Sequence, residues 1–106
     1  DNGHEPGAGG APFRGSKATI YEGGTRSPLV VWGPGLLVKE KAGTKNDSSV
    51  FAAFDLAPSL LGIAGVTLPV DVKFDGENLA PVLLGKSAAS RTAPLFWRRP
   101  PDRKTA

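Results

Sequence analysis

The chain has 106 residues, 40% of them hydrophobic and 22% charged, a net charge of +3 and no cysteine. That length leaves room for one small domain, which would bury roughly 65% of its unfolded surface if it folded alone. The absence of cysteine excludes disulfides, zinc–thiolate sites and a cysteine nucleophile within these residues, the mild charge does not argue for nucleic acid, and no apolar run approaches the ~18 residues of a membrane span.

The 14 glycines and 10 prolines concentrate at 3–15, 23–35 and 94–101, so the loop content is local. Residues 1–16 are polar and without periodicity and read as a loop leaving the end of a strand that would lie before Asp1. Glu22-Gly23-Gly24-Thr25-Arg26 reads as a turn whose paired glycines permit positive φ. Pro28 opens an apolar run through Leu29-Val30-Val31-Trp32, which fits a strand buried on both faces, as in a parallel sheet. Gly33-Pro34-Gly35 ends it, and 36–43 fits a short, partly exposed strand.

Val50 to Phe54 reads as another strand. Asp55 to Gly65 is the clearest helix: Asp55 to cap free N–H groups, Pro58 in the first turn, Gly65 for the left-handed C-terminal position. Leu56, Leu60 and Ile63, with Leu61 beside them, form its core-facing stripe. A second helix is expected over about Asn78 to Leu84, ended by Gly85, with Leu79, Val82 and Leu83 inward. Leu95-Phe96-Trp97 reads as a last strand. The basic tail at 98–106, with Arg98-Arg99 and Arg103-Lys104, reads as a solvated end or the start of a next segment. Strand, helix and loop alternate as in an incomplete α/β layer.

The residues that bear chemistry lie early. Asp1 and Asn2 offer a carboxylate and an amide oxygen, a mixed hard-donor pair that suits calcium better than zinc; taken alone, Asp-Asn-Gly is more often a turn. Lys17, on the glycine turn Arg14-Gly15-Ser16-Lys17, is a surface lysine or a point charge for an anionic ester. Arg14 and Arg26 read as structural, with Glu22 placed to pair with Arg26 across the turn. His4 is the single histidine. Asp55 reads as a helix cap, not a catalytic acid.

The order D-N-G, then P-F-R-G-S-K-x-T-x-Y-E-G-G-x-R-x-P, resembles the later part of the catalytic domain of the sulfatases, in the alkaline phosphatase superfamily. The resemblance runs from Asp1 to about Trp97. It continues through Asp55-Leu56-Ala57-Pro58-Ser59-Leu60-Leu61 with Ala64-Gly65-Val66, Asp75-Gly76-Glu77-Asn78-Leu79, and Pro94-Leu95-Phe96-Trp97. It is nearest to the arylsulfatase and N-acetylgalactosamine-6-sulfatase-like group.

The resemblance implies a fragment of an alkaline-phosphatase-like α/β sandwich, with strands of the central sheet and one or two covering helices. Residues 1–97 would be the C-terminal portion of that catalytic domain. It implies that Asp1 and Asn2 ligate Ca²⁺, that Lys17 contacts the sulfate, and that His4 is a weaker candidate for substrate contact. The family's nucleophile, a formylglycine made in a C/S-x-P-S/A-R motif, has no counterpart here, so a missing N-terminal part of the same domain would supply it. The substrate class implied is a sulfated carbohydrate or aryl sulfate ester, without nucleic acid or membrane partners, in a periplasmic, secreted or lysosome-like setting. Two alternatives remain open at this point: a phosphoester or phosphonate hydrolase of the same superfamily, and a non-catalytic binding module derived from such a domain.

Overall fold

A computed structural model describes residues 4–5, 12–67 and 69–98. Three short α-helices occur among them: α1 (Glu22–Thr25), α2 (Leu56–Ile63) and α3 (Ala80–Leu83), with 3₁₀ turns at Lys39–Lys41 and Ala53–Asp55. Two compact units can be distinguished among the described residues, 4–5 and 12–30 with 96–98, and Val31–Leu95.

The described residues form no strand, which corrects the sheet expected at 29–32, 50–54 and 95–97. A strand is defined by partners for its N–H and C=O groups, and apolar character alone does not provide them. Val30, Trp32 and Phe96 are 87%, 83% and 88% exposed, whereas their neighbours Val31 and Trp97 are 42% and 55% exposed, so no run is covered on both faces. Val50 shows the beginning of pairing and no more. Its N–H donates to Ser90 Oγ (3.0 Å) and its carbonyl accepts from Arg91 N–H (3.3 Å), after which Ala53–Asp55 coils into the 3₁₀ turn. The strand expected over 36–43 is replaced by the turn at Lys39–Lys41.

α2 and α3 end where a glycine can close them. Past α2, Gly65 at φ +67° lets Val66 N–H reach Leu61 O (3.0 Å) and Gly65 N–H reach Gly62 O (3.2 Å). This paired pattern closes a helix around a left-handed residue. Gly85 does the same for α3, with Lys86 N–H on Pro81 O at 2.8 Å. The second helix is shorter than expected because Asn78 Oδ1 takes Ala80 N–H (3.0 Å) in a local turn, delaying its start to Ala80.

The centre of Val31–Leu95 differs from the apolar core expected. Leu79 and Leu83 are buried, as are Asp55, Ser59 and Arg91. On α2 the buried residues are Pro58 and Ser59, while Leu60 of the expected stripe is 55% exposed. Asp55 does not cap α2; its side chain makes no bond to the helix N-terminus. Oδ2 instead accepts Ala52 N–H and Oδ1 accepts Glu77 N–H, both at 2.8 Å.

Candidate functional site

Lys17 sits on a turn whose shape is set by its neighbours. Gly15 before it has φ +85° and Ala18 after it has φ +69°. A left-handed alanine is costly, of the order of 1–2 kcal/mol, and such conformations persist only where surrounding contacts impose them. Those contacts are present. The Thr19 hydroxyl donates to Ser16 O (2.8 Å) and accepts Ser16 N–H (3.2 Å), and Thr19 N–H also reaches Ser16 O (3.0 Å).

The turn is tied at both ends. Lys17 N–H donates to His4 O at 2.8 Å, bringing the single histidine beside the single lysine of the glycine turn, and Gly23 N–H donates to Arg14 O at 2.8 Å. Gly23 and Gly24 are helical residues of α1 and buried, which corrects the expectation that they serve a positive-φ turn. They are glycines because of close approach. A Cβ on Gly23 would run into the Arg14 and Gly15 carbonyls, and one on Gly24 into those of Ser16 and Thr19.

Charge around the turn is arranged in pairs. Arg26 Nη2 meets Glu22 Oε1 at 2.9 Å, the i,i+4 pair anticipated across this segment. The Arg14 guanidinium stands over the Tyr21 ring at 4.0 Å and that of Arg26 over Phe13 at 4.7 Å. Both cations therefore rest on aromatic faces, an arrangement that favours arginine. Lys17 Nζ meets Glu5 Oε1 at 3.1 Å, with the side chains 38% and 70% exposed. Sequence reasoning did not single out Glu5 or Ala18; Glu5 is twelve residues from its partner and no local pattern joins them. Asp1 and Asn2, the expected metal ligands, lie outside the described residues. Among the described residues, no three of His, Cys, Asp and Glu gather as a metal site, and no helix is long and apolar enough to cross a membrane.

A second polar cluster lies in Val31–Leu95. Arg91 Nε is 3.2 Å from Asp55 Oδ2, with side-chain exposures of 3% and 0%. The Nε–H is not aligned on that oxygen and has no hydrogen-bond acceptor among the described residues. The pair is therefore a charge contact, while Nη1 donates to Ala93 O at 2.8 Å. Glu77 gathers Ala93 N–H (2.7 Å), Thr92 N–H (2.9 Å) and Thr92 Oγ1 (3.0 Å). The bonds from the Ala93 and Thr92 backbones, helped by the Thr92 hydroxyl and the Arg91 charge, hold the Glu77 carboxyl below its ordinary value of 4.5. Ser59 Oγ accepts Leu79 N–H at 2.8 Å. Apart from the Arg91 Nε–H, the polar groups named here bond across 52–59, 76–79 and 91–93, so the cluster organises structure.

The family model described as Sulfatase matches residues 1–66, which include the whole Lys17 turn and α1. The chain belongs to the sulfatase family. It is 36% identical over 95 residues to rat steryl-sulfatase and to human N-acetylgalactosamine-6-sulfatase, covering 90% of this chain in each case. It is 36% identical over 90 residues to human arylsulfatase A, covering 85% of this chain. The matched stretches are only 16–17% of those sulfatases' own lengths. No solved structure gives a significant match. Membership in the sulfatases carries an alkaline-phosphatase-like α/β class with it, of which the described residues show the helices and turns but no strand.

Proposed function

We propose that this chain is one portion of a sulfuric ester hydrolase and lines one wall of its site. The observation that carries the reading is the coincidence of the sulfatase match over 1–66 with a lysine fixed by its backbone on a strained turn. In sulfuryl transfer, negative charge grows on the sulfuryl oxygens and on the leaving oxygen. An ammonium held in place beforehand stabilises that charge without reorganising, and this is the role of Lys17. A lysine suits it as a compact point charge, whereas the two neighbouring arginines rest on aromatic rings. The bond from Lys17 N–H to the His4 carbonyl, which keeps His4 next to the turn, supports a substrate contact for His4 as well.

Asp1 and Asn2 would hold Ca²⁺ through side-chain oxygens. A carboxylate with an amide oxygen fits the hard-donor preference of that ion, and a shell of six to eight oxygens requires further donors from other segments. When bound, the ion supplies a Lewis acid that draws charge from the sulfate group. A formylglycine from a segment outside these residues would serve as the nucleophile. The substrate proposed is a sulfated carbohydrate or an aryl sulfate. The names of the relatives, all sulfatases, favour a sulfate over a phosphate ester.

The test is Lys17→Ala in the full-length enzyme that carries this chain. Loss of one preorganised donor at a developing oxyanion typically costs ~3–4 kcal/mol, so kcat on an aryl sulfate should fall about 10²-fold or more with folding intact. Turnover within about threefold of the parent would overturn the role of Lys17.

A further inference from the structure

We infer that Glu5 is a resident anion for Lys17: its carboxylate occupies the ammonium that a substrate sulfate must take over, so binding proceeds by exchange of one anion for another. The inference rests on the sulfatase reading of Lys17 above.

Three observations carry it. Glu5 Oε1 lies 3.1 Å from Lys17 Nζ, within direct ion-pair range. The hydrogen bond from Lys17 N–H to His4 O fixes the backbone just before Glu5 against the turn, so the carboxylate is tethered near the ammonium. The two side chains are 70% and 38% exposed, so an incoming anion can reach the pair from solvent. A buried pair could not exchange in this way, because separating it would strand a charge away from water. A half-exposed pair is weak, and its ions are rehydrated as they part. A sulfate held by the rest of the substrate can therefore displace Glu5, and the carboxylate swings into water.

The pair also bears on selectivity. While Glu5 is in place, its carboxylate offsets charge on the ammonium, so loosely held anions gain less there. An ester that is anchored elsewhere gains the ammonium once Glu5 has left.

The experiment measures inorganic sulfate binding by calorimetry, and KM and kcat on an aryl sulfate, for the full-length enzyme and its Glu5→Gln variant. Removing a competitor of the strength of an exposed ion pair should tighten sulfate binding and lower KM together, by about two- to fivefold. The gain should fall on KM and not on kcat, and should shrink as salt is raised. The same Glu5→Gln change in a Lys17→Met background should leave sulfate affinity where Lys17→Met alone puts it. Unchanged sulfate affinity in Glu5→Gln, a fall in kcat, or an equal gain in both backgrounds would each overturn the exchange. The last result would mean that Glu5 acts only through overall charge. Failure of the site reading would look different: Lys17→Met itself would retain turnover within about threefold.

Discussion

Arg91 and Asp55 face each other at 3.2 Å with side-chain exposures of 3% and 0%, a buried ion pair at the centre of a unit that has little apolar core. Asp55 also holds the N–H groups of Ala52 and Glu77, so its carboxylate joins three segments at once. Removing one member of such a pair leaves the other charged and dry. Asp55→Ala should cost about 3–5 kcal/mol, read as a fall in the urea midpoint of the full-length enzyme. A loss below about 1 kcal/mol would mean that water reaches Arg91.

Glu77 gives a pH dependence with a definite sign. Its carboxyl titrates below the ordinary value of 4.5, first because Ala93 and then because Thr92 donate backbone N–H groups to the ionised form. The stabilisation is therefore fully present above the unfolded value and is lost as pH falls through the lower folded value. Protection of the Thr92 and Ala93 amides, taken relative to their intrinsic exchange rates, should persist at pH 6 and be lost only below the normal glutamate range. Glu77→Gln should expose both amides at every pH. Protection that persists in the variant would show that other contacts hold the 91–93 turn.

Gly24→Ala and Gly23→Ala should each destabilise the Lys17 turn, by about 1–3 kcal/mol, since the added methyl meets backbone carbonyls that cannot rotate away. In the full-length enzyme the damage should reach catalysis, because the carbonyls struck belong to 14–19, the turn that carries Lys17. Thermal unfolding and aryl sulfate turnover within error of the parent would show that the two segments separate at little cost.

The 106-residue chain alone should hydrolyse no aryl sulfate and should bind calcium more weakly than about 10 µM, since two oxygen ligands cannot replace a shell of six to eight. It should also bind a hydrophobic dye or self-associate, because Val30, Trp32, Val70 and Phe96 are at least 83% exposed. Turnover above background, or tight calcium binding, would make this chain a complete unit.

What was legible in the sequence was local. The closing glycines at 65 and 85, the proline in the first turn of α2 and the Glu22–Arg26 pair each depend on residues within about one turn of each other, and each is found. The ordered motifs at 1–28, 55–66, 75–79 and 94–97 identified the family because their spacing is specific. The strands were misread because an apolar run states only that burial is wanted, and Val30 and Trp32 have nothing here to be buried against. Asp55 was misread because two of its partners, Glu77 and Arg91, are far away in sequence, so a local cap was the one role its neighbours could suggest. Glu5 was missed for the same reason: nothing near it in sequence points to Lys17.

The polar centre of Val31–Leu95 also governs how this unit responds to temperature. Heat-capacity change on unfolding comes chiefly from apolar surface newly exposed to water, and polar surface contributes with the opposite sign. Among the described residues of this unit, Leu79 and Leu83 are the buried hydrophobic side chains beside Asp55, Ser59 and Arg91. Its stability should therefore vary little between cold and warm, with a broad transition on heating. It should also resist cooling, because hydrogen bonds and a buried charge pair do not weaken in the cold as apolar contacts do.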